Sequence, residues 1–235
     1  MLLKSKISQI TINTEEWLQE RLSRFTSSEN HFLMGEKPFT QGALSYIYRK
    51  VGESLSGVAE RNSIENEATT HGNVFEPEAL RKYQQKFGVQ FLVTQKMIIG
   101  ANEQFSSTPD AIQILSETSD GLGYRVKPIE VKCPLTYAAY VELFLCDTPL
   151  DVWRVEKKYY VQVLDQIDNC GALEGELVVY HPSFRTGQMK VIPFRIMEKV
   201  GNEYPLKNDL DLLRKRKLMA IEKFNQIKDK FNDTN

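Results

Sequence analysis

Cysteine and histidine are scarce in this chain of 235 residues, with three of each. Cys133, Cys146 and Cys170 are odd in number, widely spaced and match no zinc spacing, so they read as reduced thiols in a reducing compartment. They also fall short of the four that usually hold an iron–sulfur cluster. His31, His71 and His181 are too scattered for a zinc site or a triad. No apolar run approaches the roughly 18 to 20 residues a membrane helix needs. The opening Met-Leu-Leu-Lys-Ser-Lys-Ile lacks the apolar core and the small-residue cleavage site of a signal peptide. The expected location is therefore the cytosol of the host, with no membrane partner. There is no glycine-rich phosphate loop of the P-loop pattern. There is also no long polybasic tract, and the formal net charge is −1. Composition alone does not suggest DNA, and a nucleic-acid enzyme of this charge needs a local basic groove.

What remains is an ordinary globular composition, 41% hydrophobic and 26% charged. Periodicity predicts helices over Glu15 to Arg24, Leu44 to Leu55, Glu76 to Phe87, Lys157 to Ile167 and Leu206 to Phe231. Thr26 and Glu29 fit a capping box, which predicts a further helix from Thr26 toward Met34. Polar residues from Glu60 to Thr70 read as a mobile segment. Val89 to Val93, Met97 to Gly100, Ala111 to Leu115 and Tyr124 to Cys133 read as a meander of about four strands. Leu177 to Tyr180 and Val191 to Ile196 read as the last two. The pattern suggests one α/β domain over residues 1–235, with a core of about 15–200 and a C-terminal amphipathic helix of about 206–231.

The informative pattern is Pro109-Asp110 ahead of Glu130-Val131-Lys132. Glu130 and Lys132 share one face of a strand, and Val131 points the other way. A hairpin would bring Asp110 within reach of a cation shared with Glu130. Two carboxylates and one ammonium suit a divalent cation and a water beside a phosphodiester. On the helix that opens near Glu76, Ala79, Leu80, Tyr83 and Phe87 form an inward stripe that includes Glu76. That acid either caps its helix, with Pro77 in the first turn, or faces a site. Each element also has a bland reading. Pro-Asp is a turn signal, Glu130 and Lys132 make a strand-face ion pair, Gln162 is a solvated helix position, Arg21 a surface arginine and Ser28 a cap.

Trp17-Leu-Gln-Glu-Arg-Leu-Ser-Arg-Phe-Thr-Ser-Ser-Glu29 resembles the tryptophan-x3-arginine-x4-threonine-[alanine/serine]-serine-glutamate opening of the YqaJ family. These are lambda-exonuclease-like recombinases of the PD-(D/E)XK nuclease superfamily. Further blocks follow in the family's order: Ser45-Tyr-Ile-Tyr, Gly72-Asn-Val-Phe-Glu-Pro-Glu-Ala79, Ser107-Thr-Pro-Asp110, Ile129-Glu-Val-Lys-Cys-Pro134 and Tyr160-Val-Gln-Val163. Thr108 and Ser23 stand where the family commonly has serine and glycine. The stretch Asn66 to His71 lacks the apolar residue that wedges strands apart in the lambda-exonuclease type.

The resemblance implies a restriction-endonuclease-like core, a central mixed β-sheet flanked by helices. It implies that Asp110, Glu130 and the Val131 carbonyl hold metal, two Mg2+ or Mn2+ ions per site. Lys132 would orient and help deprotonate the attacking water, with Glu76 close by and Gln162 positioning the water or Lys132. Arg21, Ser28 and Thr108 would receive a DNA 5′-phosphate. The implied activity is a 5′-to-3′ exonuclease on linear duplex ends, of phage or prophage origin, with a single-strand annealing protein as partner and a homotrimer ring as assembly. The rivals are a structure-specific or single-strand endonuclease on the same fold, a non-catalytic DNA-binding module, and an α/β domain whose charges are surface pairs.

Overall fold

Gly123–Lys132, ten residues of continuous strand, form the axis of the molecule. The computed structural model describes residues 1–12, 14–22, 24–60 and 67–233, with every side chain among them but that of Leu92. The elements run β1 (Leu2–Leu3), α1 (Glu15–Arg21), β2 (Phe25–Thr26), α2 (Gln41–Ser56), α3 (Glu67–Phe87), β3 (Phe91–Thr94), β4 (Ile98–Ile99), β5 (Phe105–Ser107), β6 (Ala111–Glu117), β7 (Gly123–Lys132), α4 (Tyr137–Phe144), α5 (Pro149–Val155), α6 (Lys157–Asn169), β8 (Glu174–Tyr180), β9 (Met189–Arg195) and α7 (Pro205–Asn232).

The main sheet has the order β3-β6-β7-β8-β9, and β1 pairs with the start of β7. β6 and β7 are antiparallel, whereas β7 and β8 are parallel, with Ile129 to Lys132 opposite Glu176 to Val179. A parallel pair needs a long crossover, which α4, α5 and α6 supply. Both faces of the centre are covered. Ile129, Val131, Val178 and Tyr180 pack on Ala79, Leu80 and Tyr83 of α3. Leu177 and Val179 pack with Val163, Leu164 and Ile167 of α6 and with Leu206, Leu210 and Leu213 of α7. Double coverage explains why β8 reads as a continuous apolar run. Gly175 permits the close fit of α6, since a Cβ there would lie 2.8 Å from Cγ1 of Ile167. This is the mixed α/β architecture with flanking helices.

Several local expectations need correction. Thr26 does not open a helix. It sits in β2, paired in parallel with Ser106 of β5, and its N–H donates to the Tyr46 hydroxyl at 2.8 Å. Glu29, the would-be capping partner, instead pairs with Arg49 at 2.5 Å. A short 3-10 turn follows at Asn30–Met34. The four-strand meander is in fact split between two sheets. β4 joins β2 and β5 in a separate three-stranded sheet, and β5 had no clear apolar alternation to announce it. Helix α3 begins at Glu67, so Glu67 to Thr70 are helical and Pro77 lies inside the helix. The reading of Glu76 as a cap is thereby excluded. Residues 61–66 and Ser23 lie outside the described residues. Phe87, expected on the inward stripe of its helix, is 46% exposed at the helix end.

Helix α7 is tied to α6 by buried charge. Lys217, 5% exposed, donates to Asp165 at 2.6 Å, Asp168 at 2.9 Å and the Asn169 side-chain oxygen at 3.2 Å. Asp165, fully buried, also accepts from Ser27 Oγ at 2.6 Å, Asn30 Nδ2 at 2.8 Å and Asn169 Nδ2 at 3.2 Å. Removing one member of a buried pair costs about 3 to 5 kcal/mol. Asp165→Ala should cost that much in urea unfolding. Asp168→Ala should cost less, because Asp168 is partly open to water. Equal costs for the two variants would show that the Asp165 cluster does not hold the helices together.

Candidate active site

The β6–β7 register sets Ala111 opposite Ile129. Asp110, one residue ahead of β6, therefore meets the end of β7, and its Oδ2 accepts from the Val131 N–H at 2.7 Å. Glu130 and Lys132 lie on the face of β7 turned toward α6. Val131 lies on the opposite face, among the α3 side chains. The Glu130 carboxylate is 2% exposed. Its Oε1 accepts from Lys132 Nζ and Gln162 Nε2, each at 2.5 Å, and its Oε2 accepts from Gln166 Nε2 at 2.6 Å. Gln162 and Gln166 are one turn apart on α6 and so share a face. Lys132 also stands 5.1 Å over the Tyr159 ring.

The electrostatics are those of crowded acids. Burial raises the Asp110 carboxyl well above the usual range, and the neighbouring Glu130 and Glu76 add to it, against Lys132 and the Val131 N–H. Burial also raises Glu76. Lys132 opposes that shift and Glu130 adds to it. For Lys132, burial pulls downward, but Glu130 and Asp110 outweigh it and hold the ammonium above its ordinary range. Three carboxyls thus surround one ammonium. Among the described residues no three of His, Cys, Asp and Glu already converge as a finished metal cage. The donor set nevertheless suits a hard divalent cation. It is all oxygen, it carries excess negative charge, and Gln166 Oε1 is buried there with no hydrogen-bond partner.

Beside these acids opens a cavity of about 230 Å3. Arg21, Ser28 and Thr108 line it together with Glu76, Asp110 and Gln162. Arg21 lies 4.2 Å over the Trp17 ring, and burial lowers its pKa against the pull of Glu29. Trp17 Nε1 and Ser107 Oγ in the same wall are buried without partners. Gln95, also in the wall, has φ 49°, the one left-handed non-glycine among the described residues. Its N–H donates to the Asp110 carbonyl at 3.2 Å. All the residues singled out from sequence therefore meet around one cavity or in direct contact with its walls. Gln166 and Ser107 were missed. The available signal for Gln166 was a second amide one turn beyond Gln162, on a helix otherwise apolar at Val163, Leu164 and Ile167.

A family model described as the YqaJ-like viral recombinase domain matches residues 16–172, most of the chain and all of this site. The chain belongs to the YqaJ-like viral recombinase family. No functionally curated protein matches it. Among solved structures, it is similar to an alkaline exonuclease (LHK-Exo) from Laribacter hongkongensis. The TM-score is 0.67 at 18% identity, over 94% of this chain and all of that one. LHK-Exo in complex with dAMP gives 0.66 at 19% identity, with the same coverage. A phage-related exonuclease from Haemophilus somnus 129PT gives 0.63 at 13% identity, over 88% of this chain and 96% of that one. At these identities the likeness shows a shared fold, the exonuclease fold of the PD-(D/E)XK type.

The crowding of acids should be measurable without any substrate. A carboxyl raised by folding costs nothing below the usual carboxylate range, costs increasing stability as pH rises from that range toward its folded pKa, and costs the full amount above it. Asp110→Asn keeps an acceptor for the Val131 N–H and removes that cost. In metal-free buffer at neutral pH it should raise Tm by about 2 to 4 °C, equivalent to about 1 kcal/mol for a chain of this size. The gain should fade as pH falls toward 4. Manganese should raise the Tm of the wild type more than that of the variant. A variant less stable than wild type at neutral pH would show that the acids do not repel.

Proposed function

We propose that this chain is a metal-dependent exonuclease that digests one strand of linear duplex DNA from its 5′ end, leaving a 3′ single strand for recombination. The observation that carries this reading is a single cavity with two parts. One part is lined by Glu76 and Asp110 with Gln162 and Gln166, which hold the Glu130–Lys132 pair, and the other is lined by Arg21, Ser28 and Thr108. The family and the alkaline exonuclease fold support it.

In this reading Asp110, Glu130 and the Val131 carbonyl hold Mg2+ or Mn2+, two ions per site. Bound divalent ions supply stabilisation of the attacking and leaving oxygens of the phosphodiester. Lys132 orients the attacking water. Its ammonium is held by the Glu130 pair, so charge drawn from Glu130 lets Lys132 release its proton to solvent more readily and leaves a neutral amine that can take a proton from the water. Gln162 keeps Glu130 and Lys132 in register, and Glu76 faces them from α3. Arg21 offers a fork to a terminal phosphate, with the Ser28 and Thr108 hydroxyls as further donors. LHK-Exo, which shares the fold, has been solved in complex with dAMP, and this supports a phosphate-bearing ligand here. The proposal extends to a homotrimer ring and to a single-strand annealing protein as partner, both carried by family membership. Light scattering of the purified chain tests the first.

The decisive test uses linear duplex labelled at either end, with magnesium. Wild type should release 5′-terminal nucleotides, and Asp110→Ala should release none while remaining folded. Arg21→Ala removes a charge-assisted contact of roughly 1.5 to 3 kcal/mol. Digestion of 5′-phosphorylated duplex should therefore slow about ten- to a hundredfold, and that of 5′-hydroxyl duplex much less. Wild type that ignores the 5′-phosphate, or that cuts closed circular single strands as fast as linear duplex, makes the chain an endonuclease instead.

A further inference from the structure

Beyond Lys132 the site continues into a cluster of rings that the reaction does not use. The next carbonyl along the chain, that of Cys133, accepts from His71 Nδ1 at 3.0 Å. His71 lies on α3, ahead of Glu76. Its ring meets Phe75 at 4.7 Å and His181 at 5.5 Å. His181 in turn meets Tyr137 at 5.2 Å and Phe184 at 5.3 Å, and Tyr137 stands edge-on to Phe184 at 5.6 Å. The β8–β9 hairpin that carries Phe184 is fixed from below. The Tyr140 hydroxyl donates to the Gly187 carbonyl, and a Cβ at Gly187 would lie 3.0 Å from the Phe144 ring. The result is a rigid aromatic ledge that begins at the end of the site strand.

Its upper surface is unusual for a polar loop region. Tyr137, the first residue of α4, is 62% exposed although its ring is held by two others. Arg185, beside Phe184, is exposed and pairs with no acid among the described residues. A held but open ring, with an exposed arginine on the hairpin whose Phe184 supports it, suits unpaired nucleotides. A base stacks on the ring and its phosphate meets the cation. A duplex cannot use the ring, because its base faces are already stacked on each other. A protein partner would not call for the ledge to be continuous with a phosphodiester-cleaving cavity, as it is here through Cys133 and His71.

We propose that Tyr137 and Arg185, supported by His71, His181 and Phe184, form a binding site for unpaired nucleotides of DNA next to the scissile phosphodiester. The proposal rests on the nuclease reading for the identity of the polymer. It adds a site at which bases leaving the duplex are stacked, joined to the end of the Lys132 strand through the Cys133 carbonyl and His71.

The test is equilibrium binding of the full chain, in EDTA so that nothing is cut, to a dye-labelled duplex with a short unpaired fork. Tyr137→Ala should weaken binding about tenfold, as loss of one base–ring stack does. Tyr137→Phe, which keeps the ring, should stay within about twofold on the same scale. Because Tyr137 is mostly exposed, neither change opens the core, and melting curves check this. Abasic residues placed in one fork arm at a time should weaken wild type by the same factor in one arm and leave Tyr137→Ala unaffected there. That arm identifies which strand is held. Arg185→Ala should weaken binding with a shallower salt dependence, by about one phosphate's share. Tyr137→Ala binding the fork as tightly as wild type, or losing affinity equally with and without bases, would overturn the proposal and leave the ledge to a protein or a second copy. Binding as expected without cleavage in magnesium would instead sink the nuclease reading and leave the ledge standing.

Discussion

Glu130 is a carboxylate almost out of water, and the architecture around it follows from that. A buried carboxylate needs donors on both oxygens, since leaving them unmet costs several kcal/mol. One donor, Lys132, comes from its own strand face. The other two can come only from a helix laid across the end of β7, and Gln162 and Gln166 of α6 supply them. That placement needs α6 to lie very close to the sheet, which the missing side chain at Gly175 allows. It also needs the parallel β7–β8 pair, because only a crossover connection brings a helix over that edge.

The same face of that helix does a second job. Asp165 and Asn169 reach the Ser27 and Asn30 side chains, on the turn that carries Ser28. A single rigid helix therefore fixes both the acid cluster and the hydroxyl-bearing turn. The distance between the two halves of the cavity is set by helix geometry, 1.5 Å per residue, and not by loop packing. Lys217 of α7 holds that helix through the same Asp165 and Asn169 and through Asp168. Precision of this kind is what a site needs when a bound end must present its bond to a second group of residues.

The sequence made part of this legible and concealed the rest for definite reasons. Glu130 and Lys132 could be placed on one face because strand alternation is a local rule, and Asp110 could be brought to them because a hairpin is a local connection. Glu76 could be turned inward because it lies on an apolar stripe at helical spacing. Arg21, Ser28 and Thr108 carried no local signal, and only the order of family blocks brought them together. Thr26 misled because a capping-box pattern was outbid by pairing with β5, a partner distant in sequence, and by the Tyr46 hydroxyl. Gln166 and Asp165 were invisible for the same reason. A polar residue on a helix reads as solvated until the element packed over it is known. Helices α4 and α5 went unread in a stretch of short, mixed apolar segments.

Net charge gave no hint of nucleic acid, and on the proposed nuclease reading the structure offers a reason why a near-neutral chain would suffice. Many of the chain's basic side chains are engaged in ion pairs, such as Lys4 with Glu117 and Lys207 with Asp211. Arg21 is instead set against an indole ring inside the cavity, and Arg185 is exposed on the β8–β9 hairpin with no acidic partner among the described residues. Arg21 thereby places one cation next to one π-surface. Grip on DNA would then come from a few end contacts and stacked rings, and less from a broad basic face. Binding of that sort releases few counterions, so its salt dependence per protomer is shallow. It also discriminates ends and unpaired strands from continuous duplex, which offers neither a terminal phosphate nor an open base.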